Sequence, residues 1–288
     1  MRELALILKN RRMEQGYLNL DIPETKIILD EKGKPIDIQK YESTFANEII
    51  EQFMLVANET VAERFYWLEA PFIYRVHEAP DMEKIQELNK FLHNLGYKIK
   101  ANKDNVYPKE FAKVLEEVKG KDEEKVVSNL ILRTLKVARY ESENNGHFGI
   151  ASKCYTHFTS PIRRFPDLTV HRLLKTYLVE QKLDPETIEL WENKLDIIGP
   201  HSSKKERDSI ECEREVDDMK KAEYMMDHIG EEYVGTISGV MSFGMFVELA
   251  NGVEGLVHIS SLMDDYYDFY EERYALVGTH TKKQYRLG

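Results

Sequence analysis

The chain has 288 residues, 42% of them hydrophobic, enough for two domains or for one large and one small. Its formal net charge of −11 excludes a protein that grips nucleic acid with its whole surface, so any such site must be a local basic groove. No apolar run approaches the roughly 20 residues that cross a bilayer, and Met1–Lys9 is too short and too closely flanked by charge for a secretory signal. Cys154 and Cys212 lie far apart without metal-ligand company, which reads as buried free thiols in a reduced cytoplasm.

The N-terminus opens directly on an apolar run, Leu4-Ala5-Leu6-Ile7-Leu8, with no polar lead-in. Residues 17–30 and 34–41 carry β-type runs around the charged turn Glu31-Lys32-Gly33-Lys34, which predicts a hairpin. From Thr44 to about Phe65 apolar residues recur at helical spacing, with Ser43 or Thr44 as N-cap. Further helices fit 81–95, 108–118 and 122–140, the first two stopped by Gly96 and Gly120. A loop-rich stretch, 143–166, precedes a helix at 167–181. After Asp184-Pro185 a helix is expected to Ile198, broken by Gly199-Pro200, and a long charged helix from about Ser202 to His228. Beyond Gly230 short, Gly-punctuated alternating strands begin, and the domain boundary falls there. Gln284–Gly288 reads as the approach to a strand that does not arrive, so both ends look cut.

The most informative segment is Tyr155-Thr156-His157-Phe158-Thr159-Ser160-Pro161-Ile162-Arg163-Arg164-Phe165-Pro166-Asp167-Leu168. Pro161 and Pro166 stiffen the backbone on either side of two adjacent arginines, just before a helix. Guanidinium groups held in place suit bidentate recognition of phosphate. The competing reading is that Arg163 and Arg164 make structural ion pairs with the acidic helices. Ser160 lacks a base-and-acid pair, which argues against a serine hydrolase. His77, His93, His171 and His201 show no metal-ligand spacing and read as structural histidines, and Trp67 and Trp191 as core or domain-contact residues.

This segment, with Gly146-His147-Phe148-Gly149-Ile150-Ala151 before it, is very similar to the signature near the end of the RNase II/RNase R catalytic domain. The resemblance extends to Glu48–Ala62 and to Pro71–Glu78, and covers essentially the whole chain. It implies a 3′→5′ exoribonuclease that hydrolyses single-stranded RNA to nucleoside monophosphates. The implied fold is α+β: a helix-rich C-terminal part of an RNB catalytic domain at 1–229, then a small, incomplete all-β OB-fold barrel at 230–288. The family's divalent metal, taken as Mg2+, sits on closely spaced aspartates. No such cluster is found here, since neither Asp217-Asp218 nor Asp264-Asp265 matches it, so no metal ligand is assigned and the ligands are expected upstream of Met1. By the match, Arg163 corresponds to the arginine that meets the scissile phosphate, and Glu213 to a helix glutamate near the leaving nucleotide. Glu51 matches a glutamate facing the ribose edge, where accepting from a 2′-OH would favour RNA over DNA; a helix-surface ion pair is the other reading. Tyr155, His157 and Arg164 lie alongside as RNA-binding candidates. The family's base-clamping aromatic falls near Asn19, which is not aromatic, and leaves the clamp unassigned.

Residues 233–260 resemble the RNA-binding domain first described in ribosomal protein S1, with three strands and an Asn251-Gly252 turn. There Phe243, Phe246 and His258 would form a stacking face for unpaired bases, unless one phenylalanine plugs the barrel. Nine acidic against four basic residues in 229–288 make that face electrostatically poor for RNA. Single-stranded RNA is the implied partner, with no membrane and no obligate protein partner. Two alternatives stand beside the exoribonuclease: a non-catalytic RNA-binding module, and an interaction scaffold that leaves the arginine motif unexplained.

Overall fold

The computed structural model describes residues 1–20, 24–41, 43–102, 105–121 and 123–288. Helix α1, Arg2–Gln15, occupies the opening apolar run and ends at Gly16, whose positive φ of 100° closes the helix. Strands β1, Glu24–Leu29, and β2, Pro35–Tyr41, pair antiparallel as the expected hairpin. The Asp30 carboxylate accepts the Lys32 and Lys34 N–H groups and holds the turn. Helix α2, Phe45–Leu68, starts on a capping box between Thr44 and Asn47.

Strand β3, Tyr74–Val76, is followed by helices α3, Met82–Asn94, α4, Pro108–Val118, and α5, Glu124–Thr134. The helix expected over 122–140 is shorter: Asp122 lies outside the described residues, and Arg139–Glu141 forms β4, antiparallel to β3. Those three residues pair with a strand more than sixty positions away, a partner that local periodicity cannot reveal. Helices α3, α4 and α5 enclose one core around Leu92, Phe111 and Ile131. A second core joins α2, β3 and β4, where Phe65 stacks on Phe72 with ring centroids 4.2 Å apart.

Helix α6, Phe165–Leu174, begins with Pro166 in its first turn and runs into a π turn at Lys175–Val179. Helix α7, Pro185–Met226, is one 42-residue helix, not two separated at Gly199-Pro200. A Cβ on Gly199 would stand 2.9 Å from the Tyr140 carbonyl oxygen, so glycine lets the helix press against β4. Ser203 Oγ donates to the Gly199 carbonyl at 2.9 Å and accepts the Tyr140 N–H at 2.8 Å. Docking against β4 therefore carries the helix across a proline that would end it in isolation.

Past α7 come β5, Gly235–Met241, β6, Gly244–Leu249, and β7, Glu254–His258, in one antiparallel sheet. Strands β8, Tyr267–Tyr270, β9, Ala275–Gly278, and β10, Gln284–Arg286, form another. Gln284–Arg286, expected only to lead up to a strand, thus forms one. The strands bond as two sheets meeting at β5, where the Gly288 N–H donates to the Ile237 carbonyl at 3.1 Å. The core between them rests on Val240, Tyr267 and Leu276. Helix followed by antiparallel sheet gives the expected α+β class. One smaller expectation fails, since Cys212 lies exposed on α7 while Cys154 alone is buried, and Trp67, 72% exposed, is not a core residue. No helix among the described residues is long and apolar enough to cross a membrane.

Candidate nucleic-acid interface

The turn Ser160–Arg164 is tied from behind by Asp167, a wholly buried carboxylate in the first turn of α6. Asp167 Oδ1 accepts the Ser160 N–H at 2.8 Å and Arg164 Nη2 at 2.8 Å. The two arginines therefore part company. Arg164 is half-buried in an ion pair, the structural role weighed for both. Arg163 is exposed and has no acidic partner within 4.0 Å among the described residues. Ile162, before it, is fully exposed, so the turn projects its tip into solvent.

Behind the turn, aromatic rings pack edge to face. His77 meets His147, His147 meets Tyr155, and Tyr155 meets His157, at centroid distances of 5.0, 5.3 and 5.8 Å. His157 Nδ1 lies 2.7 Å from the Tyr140 hydroxyl. The Arg75 guanidinium sits 4.6 Å from the Tyr140 ring centre and is held by Glu206 of α7 at 2.6 Å. Burial pushes the His147 imidazole down to about 3, helped by His77 and Arg75. Burial, then the charges of Arg164 and Arg75, likewise holds His157 well below the usual histidine range. Burial thus favours the neutral form of both rings.

Helix α2 joins this region to Glu51. One helical face carries Glu51 and Asn58, seven residues apart. Asn58 Nδ2 donates to the Tyr155 hydroxyl at 2.9 Å, and Asn58 Oδ1 accepts the Phe158 N–H at 3.1 Å. The Tyr17 hydroxyl donates to Glu51 Oε1 at 3.2 Å, and burial, then the Glu51 carboxylate, raises the Tyr17 phenol pKa. Glu51 thus takes a tyrosine partner, not the helix-surface ion pair.

Tyr155 and His157 pack together with Arg164 and Arg163 near enough to act on the His157 charge, and Glu51 is related to this network through the α2 face it shares with Asn58. Glu213 is exposed on α7 and has no hydrogen bond or ion pair to that network among the described residues. Phe243, Phe246 and His258 lie apart, in the β5–β6 turn, on β6 and at the end of β7. The rings of Phe243 and Phe246 stand at 90° with centroids 6.3 Å apart, and Phe243 is 45% exposed. Neither phenylalanine belongs to the small core between the sheets. His258 is exposed, opposite Gly244, where a Cβ would strike the Val257 carbonyl at 2.4 Å.

Sequence reasoning missed Tyr17, Asn58, Arg75, Tyr140, Glu206 and Asp167. Asp167 alone carried a local signal, a carboxylate three residues after Arg164 at a helix start.

Among the described residues no group of three or more His, Cys, Asp and Glu stands close enough to hold a metal ion. Comparison with known proteins matches residues 1–180 to the RNB domain and residues 227–284 to the S1 RNA binding domain. Ribonuclease R 1 of Lactococcus lactis subsp. lactis (strain IL1403) is 45% identical over 288 residues, all of this chain and 35% of that protein. Ribonuclease R of Aquifex aeolicus (strain VF5) is 47% identical over 289 residues, 100% of this chain and 40% of its own length. The chain thus spans well under half of these relatives. Among solved structures, Mycoplasma genitalium RNase R in complex with ribose methylated single-stranded RNA superposes with a TM-score of 0.93 at 34% identity. That match covers 100% of this chain and 45% of the other.

Proposed function

The chain belongs to the RNB domain family, and from that premise we propose that it forms the RNA-binding channel portion of a 3′→5′ exoribonuclease. The substrate is single-stranded RNA and the products are nucleoside monophosphates. One observation carries the reading: Asp167 ties down Arg164 and Ser160 and leaves Arg163 on a projecting turn, unpaired among the described residues. A guanidinium presented this way can meet a phosphodiester and stabilise charge that develops as the bond breaks. Glu51, oriented by Tyr17, accepts from a ribose 2′-OH. Tyr155 and Arg164 support the channel wall, Glu213 stands toward the leaving nucleotide, and Phe243, Phe246 and His258 stack on bases of the incoming strand. The solved relative with single-stranded RNA supports that choice of partner.

The residues present do not fit the family's divalent ion, for want of a carboxylate cluster among those described. Magnesium held by aspartates outside these 288 residues is part of the proposal, and this chain by itself would release no mononucleotides. A cytoplasmic setting, with no obligate protein partner, accords with the two free cysteines.

The test is Arg163→Lys, made in a chain that includes the aspartate-bearing part of the domain. Lysine keeps the charge and loses the planar fork. The expected result is a fall in kcat of about 100- to 1000-fold, about 2.7–4 kcal/mol, with RNA affinity nearly unchanged. A normal rate, or equal losses of rate and affinity, would favour the non-catalytic RNA-binding module.

A further inference from the structure

Tyr140 is buried, and its hydroxyl has one hydrogen-bond partner among the described residues, His157 Nδ1. If Nδ1 carried the proton and donated, the phenolic proton would be left without an acceptor inside the protein, a costly arrangement for a buried group. The hydroxyl must therefore donate, which leaves Nδ1 as acceptor and puts the imidazole proton on Nε2. Nε2 has no protein partner among the described residues and is not among the buried, unsatisfied atoms, so it keeps some surface accessible to a ligand.

We propose that the Tyr140 hydroxyl locks His157 as the Nε2–H tautomer, and that this N–H donates to a phosphate oxygen of the RNA strand beside Arg163. The inference rests on the RNA-binding reading above. Phosphate oxygens offer only acceptors, so a lone pair on Nε2 would repel what an N–H attracts.

The surroundings keep the ring in that state. Tyr155 packs beside it with His147 behind Tyr155, Arg75 approaches from β3, and Arg163 and Arg164 from the turn. Glu206 and Asp167 neutralise Arg75 and Arg164 from behind. Burial and these cations disfavour the imidazolium. An arriving phosphate opposes that effect, but from a starting point far below neutrality. His157 thus serves as an uncharged donor beside a charged one, and its contact neither takes up nor releases a proton between about pH 6 and 8.

The test uses this chain with a short single-stranded RNA and isotope-labelled histidine. Long-range nitrogen–proton spectra should show His157 unprotonated at Nδ1 and protonated at Nε2, unchanged from pH 8 to 5. Tyr140→Phe should release the lock and give mixed tautomers. His157→Ala should weaken RNA binding about 3- to 10-fold, as for one uncharged hydrogen bond. His157→Gln, whose amide nitrogen reaches the Nε2 position, should recover most of that loss, whereas His157→Asn should not. A proton on Nδ1 in the unmodified chain overturns the proposal. Unchanged affinity in a folded His157→Ala variant overturns the contact alone. An unmodified chain that bound no RNA would remove the functional reading and the contact with it, while the tautomer would still be read directly.

Discussion

Around Tyr155–Asp167 the turn that carries Arg163 and the rings behind it are held by buried polar groups, whereas on β5–β7 the candidate groups stand on a sheet with a thin core. In the first region Asp167, Asn58 and Tyr140 are each at most 3% exposed and each fixes a neighbour by hydrogen bonding. In the second, Phe243 and Leu256 are 45% and 48% exposed, and three buried residues form the core. Buried polar anchoring gives orientation and couples binding to folding, because each anchor left unpaired is costly. An exposed apolar face separates the two. It can lose a ring without losing its fold, and it accepts any base because every base has a π-face.

Four measurements would break or sharpen this contrast. The largest effect is expected from Asp167→Ala, which strands Arg164 and the Ser160 N–H and should destabilise the chain by about 3–5 kcal/mol in denaturant unfolding. A midpoint within error of the unmodified chain would mean that the buried ion pair holds nothing. Next, Phe243→Ala or Phe246→Ala should cost about 1–3 kcal/mol of single-stranded RNA binding, with unfolding unchanged. Loss of stability in parallel would place those rings in the fold and erase the distinction.

Tyr17→Phe removes one hydroxyl from Glu51, and the expected loss is about 0.5–1.5 kcal/mol of affinity for RNA but not for the matching DNA. Equal losses for both would free Glu51 of any ribose role.

The smallest change near neutrality concerns pH. His147 and His157 are neutral when folded and take up protons when unfolded below about 6.5, so their contribution is fully present above that pH and falls as pH drops toward about 3. On the sheet side, burial would raise the Asp265 pKa, but donors from Thr281 and His280 outweigh it and hold it low. Its contribution is present above about 3.8 and is lost only in stronger acid. Acid should therefore loosen the segment before residue 229 first. Both tryptophans lie there, and fluorescence compared with backbone amide exchange on β5–β10 separates the two transitions. A single transition shared by both halves would refute the separation.

Legibility in the sequence followed the range of the interactions. Helix α2, the β1–β2 hairpin and the strands β5–β7 were readable because their periodicity, caps and turns act within a few residues. Asp167 and Arg164, three residues apart, could have been read as a pair. Tyr17 on Glu51, Asn58 on Tyr155 and Arg75 on Glu206 could not, because each joins elements 34 to 131 positions apart. The unbroken α7 failed for a related reason: Pro200 predicts a break, and only its docking on Tyr140 overrides it.

Helix α7 also acts as a ruler. At 1.5 Å per residue its 42 residues extend about 63 Å. Ser203 docks it on β4, and seventeen positions on, Lys220 donates to the Gly33 carbonyl in the β1–β2 turn at 2.7 Å. Each inserted residue turns everything beyond it by about 100°, so one extra residue between these moorings would swing Lys220 around the helix and away from Gly33. Substitutions along the intervening span leave that phase untouched. Apart from Glu206, which holds Arg75, and Glu213, the span should therefore tolerate changes of identity while its length stays fixed.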